Sequence, residues 1–186
     1  MKGNLTQEDK ALLRAIALDS IKHGLERNRP LRLDQDSLPQ ALREPGATFV
    51  TLQLHGRLRG CVGSFEGTLG LADDVAQNAY SAAFMDFRFP PVSAEELPDL
   101  ALHVSLLTPL EPLEVESRAD LLERLRPGVD GLLVADPPHR ATFLPQVWES
   151  LSDPEDFLGE LFLKAGLARD HWSDTVSFQR YEVEEF

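Results

Sequence analysis

The residues Ala47-Thr48-Phe49-Val50-Thr51-Leu52-Gln53-Leu54-His55-Gly56-Arg57-Leu58-Arg59-Gly60-Cys61-Val62 decide the fold. Ala47 to Leu54 is rich in β-forming side chains, and His55-Gly56 separates it from a second run, Arg57 to Val62. Two such runs joined by two residues ending in glycine predict a β-hairpin. The stretch Gly63-Ser64-Phe65-Glu66-Gly67-Thr68 that follows is too glycine-rich for a regular element. Leu69 to Met85 then returns to helical spacing through Leu71, Val75, Ala79, Ala82 and Ala83. A strand therefore ends in a glycine loop that opens a helix.

Upstream, Thr6 with Asp9 resembles a helix-capping arrangement, and Leu12, Leu13, Ile16, Leu18, Ile21 and Leu25 repeat near helical spacing until Asn28-Arg29-Pro30. Leu31 to Gly46, with Asp34, Asp36, Ser37, Pro39 and Pro45, reads as a loop. Downstream, Leu100 to Leu107 reads as a strand stopped by Pro109, and Ala119 to Leu125 as a short helix stopped by Pro127-Gly128. Leu132 to Ala135 and Ala141 to Leu144 flank a Pro137-Pro138 turn. Asp153-Pro154-Glu155-Asp156 carries an N-cap oxygen, a first-turn proline and acids near the helix dipole, and Gly166 closes that helix. Thr175 to Phe186 alternates as one closing strand. Strands arriving as hairpins with helices between them predict an α+β fold, a two-lobed body with a mainly antiparallel sheet packed by helices.

At 186 residues the chain suits one domain of two interleaved lobes. No apolar run approaches the roughly 18 residues of a membrane span, and the first thirty residues are charged and helical rather than signal-like, so the expectation is a cytoplasmic protein without a membrane partner. The single cysteine, Cys61, excludes an intramolecular disulfide framework. The net charge of -13 lies wholly in the second half: residues 1–93 hold 11 basic and 11 acidic side chains, residues 94–186 hold 7 and 20. An acidic half repels a phosphate backbone, which argues against nucleic acid as a partner and leaves any anion to the first half.

The chemistry concentrates at Leu58-Arg59-Gly60-Cys61-Val62-Gly63-Ser64-Phe65-Glu66. Gly60 and Gly63 let backbone and ligand approach closely, and a loop entering a helix offers unpaired N–H groups, Ser64 among them, to an anion. Arg59 offers a bidentate contact to carboxylate or phosphate. Thiols react as thiolates, a form favoured beside an arginine or a helix N-terminus, which makes Cys61 a candidate nucleophile. The opposing reading makes Cys61 a small buried hydrophobe whose glycines serve packing. Arg88, between Phe87 and Phe89, reads either as an ion-pair member or as an anion contact. His103 could form a Cys/His pair with Cys61 if their strands neighbour each other. Glu66 suits a general acid/base or a backbone cap. The five histidines are too dispersed for a dedicated metal site, and no phosphate-binding glycine motif or iron–sulfur cysteine cluster is present.

Leu58-Arg59-Gly60-Cys61-Val62-Gly63 resembles the signature L-R-G-C-I-G of the AMME-syndrome chromosomal region protein family, also called AmmeMemoRadiSam system protein A. The resemblance continues in order through Asp73–Ala79, Asp86–Val92, Glu95–Pro98, Val104–Pro109, Asp130–Leu132, Leu144–Val147, Lys164–Leu167 and Tyr181–Glu184. It implies a two-lobed α+β body with the signature near a cleft between lobes, and partnership with a Memo-like protein and a radical-SAM protein. It implies no particular reaction and no known cofactor. Val62 replaces isoleucine, Phe87 stands where proline is common, His103 where an acid is common, and Phe162 where a second cysteine is frequent. Two functions follow as expectations: an enzyme or enzyme subunit acting on a small anionic molecule at the signature, or a non-catalytic adaptor for a Memo-like or radical-SAM partner.

Overall fold

The computed structural model describes residues 5–186, and the chain divides into two compact units, residues 1–107 with 184–186 and residues 108–183. The first unit begins with α1 (Gln7–Arg27), capped by the box that Thr6 and Asp9 predict: the Thr6 hydroxyl accepts the Asp9 N–H at 3.1 Å and Asp9 accepts the Thr6 N–H at 2.9 Å. Asn28 ends it in the left-handed conformation, φ 53°, with its N–H on the Gly24 carbonyl. The segment read as a loop contains a 3-10 turn at Gln35–Ser37 and a one-turn helix α2 (Gln40–Arg43). Proline and acidic punctuation hid both, since neither is long enough to show a period.

The predicted hairpin forms as β1 (Ala47–Leu54) and β2 (Arg57–Gly63), with His55 and Gly56 both at positive φ, as a two-residue hairpin turn requires. After α3 (Leu71–Phe84), the strand β3 (Leu100–Leu107) pairs antiparallel with β1. Helices α1 and α3 cover one face of this sheet through Leu13, Ile16, Ile21, Val75 and Ala79 against Val50, Leu52 and Val104. Alanines along α3 keep the layers close, and Gly24 of α1 leaves room for the Phe84 ring, whose edge would lie 2.3 Å from a Cβ there.

The second unit comprises β4 (Glu111–Pro112), α4 (Arg118–Arg124), β5 (Gly131–Asp136), β6 (His139–Phe143), α5 (Pro154–Lys164) and β7 (Ser177–Tyr181). Its antiparallel sheet runs β4-β7-β5-β6. Phe157, Leu158, Leu161 and Phe162 of α5 form its core with Leu132, Val134 and Phe178, and Trp148 stacks on Phe157 at 3.7 Å. Phe162 thus fills a core position. Asp153 caps α5 by accepting the N–H groups of Glu155 and Asp156, in the order its sequence predicts.

The antiparallel α+β expectation holds, with two four-stranded sheets among the described residues. The single closing strand does not. The chain breaks at Glu182 into β7 and β8 (Val183–Glu185), and β8 joins the first unit's sheet in the order β2-β1-β3-β8, where Val104 and Phe186 exchange both backbone hydrogen bonds. Thr108 and Glu182 mark the chain's two crossings, each binding the other's backbone. No helix among the described residues is long and apolar enough to cross a membrane.

Candidate functional site

Strand β2 lies at the edge of its sheet, and a β-bulge distorts it: Leu52 pairs with Gly60 but Gln53 pairs with Leu58. The extra residue is Arg59. A bulge re-aims its side chain, and the guanidinium is drawn into the fold, 9% exposed, where it grips Glu96 bidentately at 2.7 and 3.0 Å and donates to the carbonyls of Pro90 at 2.8 Å and Pro91 at 3.3 Å. The guanidinium, with the Ser93 N–H, holds the Glu96 carboxyl at about 2 rather than 4.5. Arg59 therefore straps the segment after α3 along the sheet edge, and four hydrogen bonds occupy donors that the sequence offered to an anion.

The same segment caps the edge at Cys61. Opposite Thr51, Cys61 turns its backbone groups away from β1. Its N–H donates to Asp86 at 2.9 Å and its carbonyl accepts from Arg88 Nη2 at 3.2 Å. Arg88 also holds Asp86 through Nε at 2.9 Å and Nη2 at 2.6 Å. An aspartate and an arginine thus replace the neighbouring strand that an edge lacks. The Arg88 hydrogen bonds hold the Asp86 carboxyl well below the usual carboxylate range, and Asp86 in turn raises Arg88, helped by the nearby Cys61. The Arg88 side chain is 46% exposed. Among the described residues its Nη1 has no protein acceptor.

Gly60 faces the helices, where a Cβ would meet the Ala82 carbonyl oxygen at 2.1 Å, and Gly63 lies under the Phe49 ring, 2.2 Å from such a Cβ. Phe49 in turn packs on Phe65 at 5.0 Å. Val62 packs into the core. Ser64 donates at 2.6 Å to the buried Asp74, whose other oxygen accepts from the Thr48 N–H, the Thr48 hydroxyl and Asn78. Burial raises the Asp74 carboxyl against the lowering effect of the Ser64 and Thr48 bonds. Glu66 is exposed within the loop.

Leu58 apart, which is exposed, every signature side chain but one is thereby accounted for by packing or strapping. The exception is the Cys61 thiol, which lies half-buried on the sheet face away from α1 and α3 and accepts a hydrogen bond from the Thr51 hydroxyl at 3.4 Å. Thr51 pairs with Cys61 on one side and with His103 on the other. Because β1 intervenes, the condition for a direct Cys/His pair is not met: two strand spacings put the two backbones roughly 10 Å apart. His103 sits 3.7 Å from Glu185. Among the described residues no cluster of three or more His, Cys, Asp or Glu side chains could hold a metal ion. Asp86, Glu96 and Thr51 are the neighbours of the signature to which the sequence reading gave no role at the site. The spacing of Asp86 and Arg88 was visible, but their joint target 25 residues upstream was not.

Fold and site define an α+β protein of two antiparallel sheets in which a glycine-flanked cysteine on an edge strand is clamped by an aspartate–arginine pair. The sequence model of the AMMECR1 family matches residues 14–186. A protein of Methanothermobacter thermautotrophicus is 44% identical over 171 residues, covering 91% of this chain and 88% of that protein. One from Thermotoga maritima is 39% identical over 155 residues, covering 81% and 83%. The crystal structure of an uncharacterized protein from Pyrococcus horikoshii matches with a TM-score of 0.85 at 31% identity, covering 94% of this chain and 88% of that one. The chain belongs to the AMMECR1 family.

Proposed function

We propose that the protein is an enzyme or enzyme subunit that acts on a small anionic molecule through the Cys61 thiol, with Arg88 as the anion contact. The observation that carries this reading is the contrast within the signature: Arg59, Gly60, Val62, Gly63 and Ser64 are consumed by packing and hydrogen bonds, whereas Cys61 is only half-buried and its carbonyl is held by a guanidinium with an open edge. The clamp fixes the cysteine backbone, so the sulfur's position costs no reorganisation when a substrate arrives. Arg88 Nη1 holds the substrate's anionic group. The Cys61 thiolate attacks a neighbouring electrophilic carbon, the C–S bond forming as the bond to the leaving group breaks, and the thiol proton having passed to solvent. The Thr51 hydroxyl donates to the sulfur and orients it.

Protection of the thiol tests this reading. Inorganic phosphate or a small carboxylate at millimolar concentration slows alkylation of Cys61 by neutral iodoacetamide in the wild type and not in Arg88→Gln, as read by mass spectrometry. Equal alkylation with and without each anion, in both proteins, removes the anion contact. No alkylation of the folded chain under any condition removes the thiol chemistry.

A further inference from the structure

The residues following α3 carry a second feature that the thiol chemistry does not use. Phe87 is 96% exposed and Met85 66%, although Asp86 between them is buried and tied to β2. Arg88 and Pro90 are exposed on the same short segment. An aromatic ring standing in water on a loose loop is unremarkable. This one is held on both sides, since Asp86 and Arg88 lock to Cys61 and Arg59 holds Pro90 and Pro91. A ring fixed in the open, flanked by methionine and arginine, has the composition of an interface anchor and loses little conformational freedom on docking.

The second unit offers a complementary receptor. An open cavity of about 400 Å³ is lined by Pro127, Pro145, Trp148 and Val183, with the exposed carboxylate of Glu149 at its margin. A cavity of about 150 Å³ already accepts a benzene ring, so volume admits the Phe87 side chain. Charge also matches: residues 108–183 hold 7 basic and 15 acidic side chains, and Arg88 has donors to spare. Among the described residues of its own unit nothing covers Phe87, which is 96% exposed.

We propose that Phe87 of one copy of this chain docks into the Trp148–Pro145 cavity of a second copy, with Arg88 meeting Glu149. In a twofold pair the contact is made twice, each copy giving one knob and one cavity. Its small area places it among transient associations, and its charge pair makes it weaken with salt.

Sedimentation velocity over a wide concentration range at low salt tests the proposal on the full chain. The weight-average mass of the wild type rises from 20.7 kDa towards that of a pair, and added salt reverses the rise. Phe87→Ser and Glu149→Arg each stay at the single-chain mass. Mixing these two variants restores one of the two contacts, and with it a weaker association than the wild type's, because one retains the cavity and the other the knob. The proposal is overturned by a wild type that stays single at millimolar concentration, by a Phe87→Ser that associates like wild type, or by a mixture that does not associate. Both substitutions fall at exposed positions, and circular dichroism verifies that each variant is folded. Cys61 alkylation is read at a dilution where the chain is single and Arg88 is free of Glu149, so this contact and the thiol chemistry stand or fall separately.

Discussion

The Asp86 carboxylate joins Cys61 to Arg88: one oxygen takes the Cys61 N–H at 2.9 Å and the Arg88 Nη2 at 2.6 Å, while the other takes Arg88 Nε. Asp86→Asn keeps the shape but sets an amide against at least one of these donors. Because Asp86 is 7% exposed, the loss is felt in stability, by about 1–3 kcal/mol at neutral pH in urea unfolding. The sign with pH follows from the lowered carboxyl, whose ordinary value is 3.8. A depressed folded-state value stabilises above the unfolded value and loses that contribution as acid is added. The gap between wild type and variant is therefore full at pH 6 and narrows below about pH 4. A gap independent of pH would show that the carboxylate charge plays no part.

Glu96 provides a second titration at the other end of the strap. Arg59 holds it at about 2 against 4.5, so its stabilising contribution is complete above 4.5 and is lost as pH falls from there towards 2. Glu96→Gln lowers stability at neutral pH by about 1–2 kcal/mol and has little effect at pH 2, if the folded state persists there. Arg59→Lys behaves like Glu96→Gln, since an ammonium cannot reproduce the fork that meets Glu96 and two proline carbonyls at once.

The two signature glycines differ in what a methyl group would strike. At Gly60 it meets a backbone carbonyl of α3, which cannot swing aside, and at Gly63 it meets the Phe49 ring at Cγ, which yields only by leaving its rotamer and its packing on Phe65. Gly60→Ala is expected to destabilise by about 3 kcal/mol and Gly63→Ala by about 1–2 kcal/mol, measured by thermal or urea unfolding. Equal costs would mean that the α3 end moves as freely as a side chain.

Local signals made the hairpin, α1 and α5 legible, because each is bounded by its own turn or cap, His55-Gly56, Thr6 with Asp9, and Asp153-Pro154, while α3, which has no side-chain cap, shows through its apolar period alone. The split at Glu182 was not legible. The apolar phase shifts from Val176 and Phe178 to Tyr181 and Val183, a slip that one irregular strand also accommodates, and the separate demands of two sheets divide the run. Arg59 misled for a similar reason. A bulge adds a residue without changing composition, so nothing near Arg59 announced that it faces the strap instead of a ligand. A Cys61–His103 pair required their strands to be neighbours, and that β1 lies between them depends on topology that no local signal carries.

The central claim is that the Cys61 thiol is reachable and that Arg88 brings anions to it. The most direct measurement is the ratio of alkylation rates with iodoacetate and iodoacetamide, compared between wild type and Arg88→Gln. Any general disturbance of Cys61 affects both reagents and cancels in the ratio. A unit charge at contact distance in a solvated site is worth on the order of 1 kcal/mol, so the account predicts that the ratio falls roughly fivefold when Arg88 is removed. An unchanged ratio would contradict it.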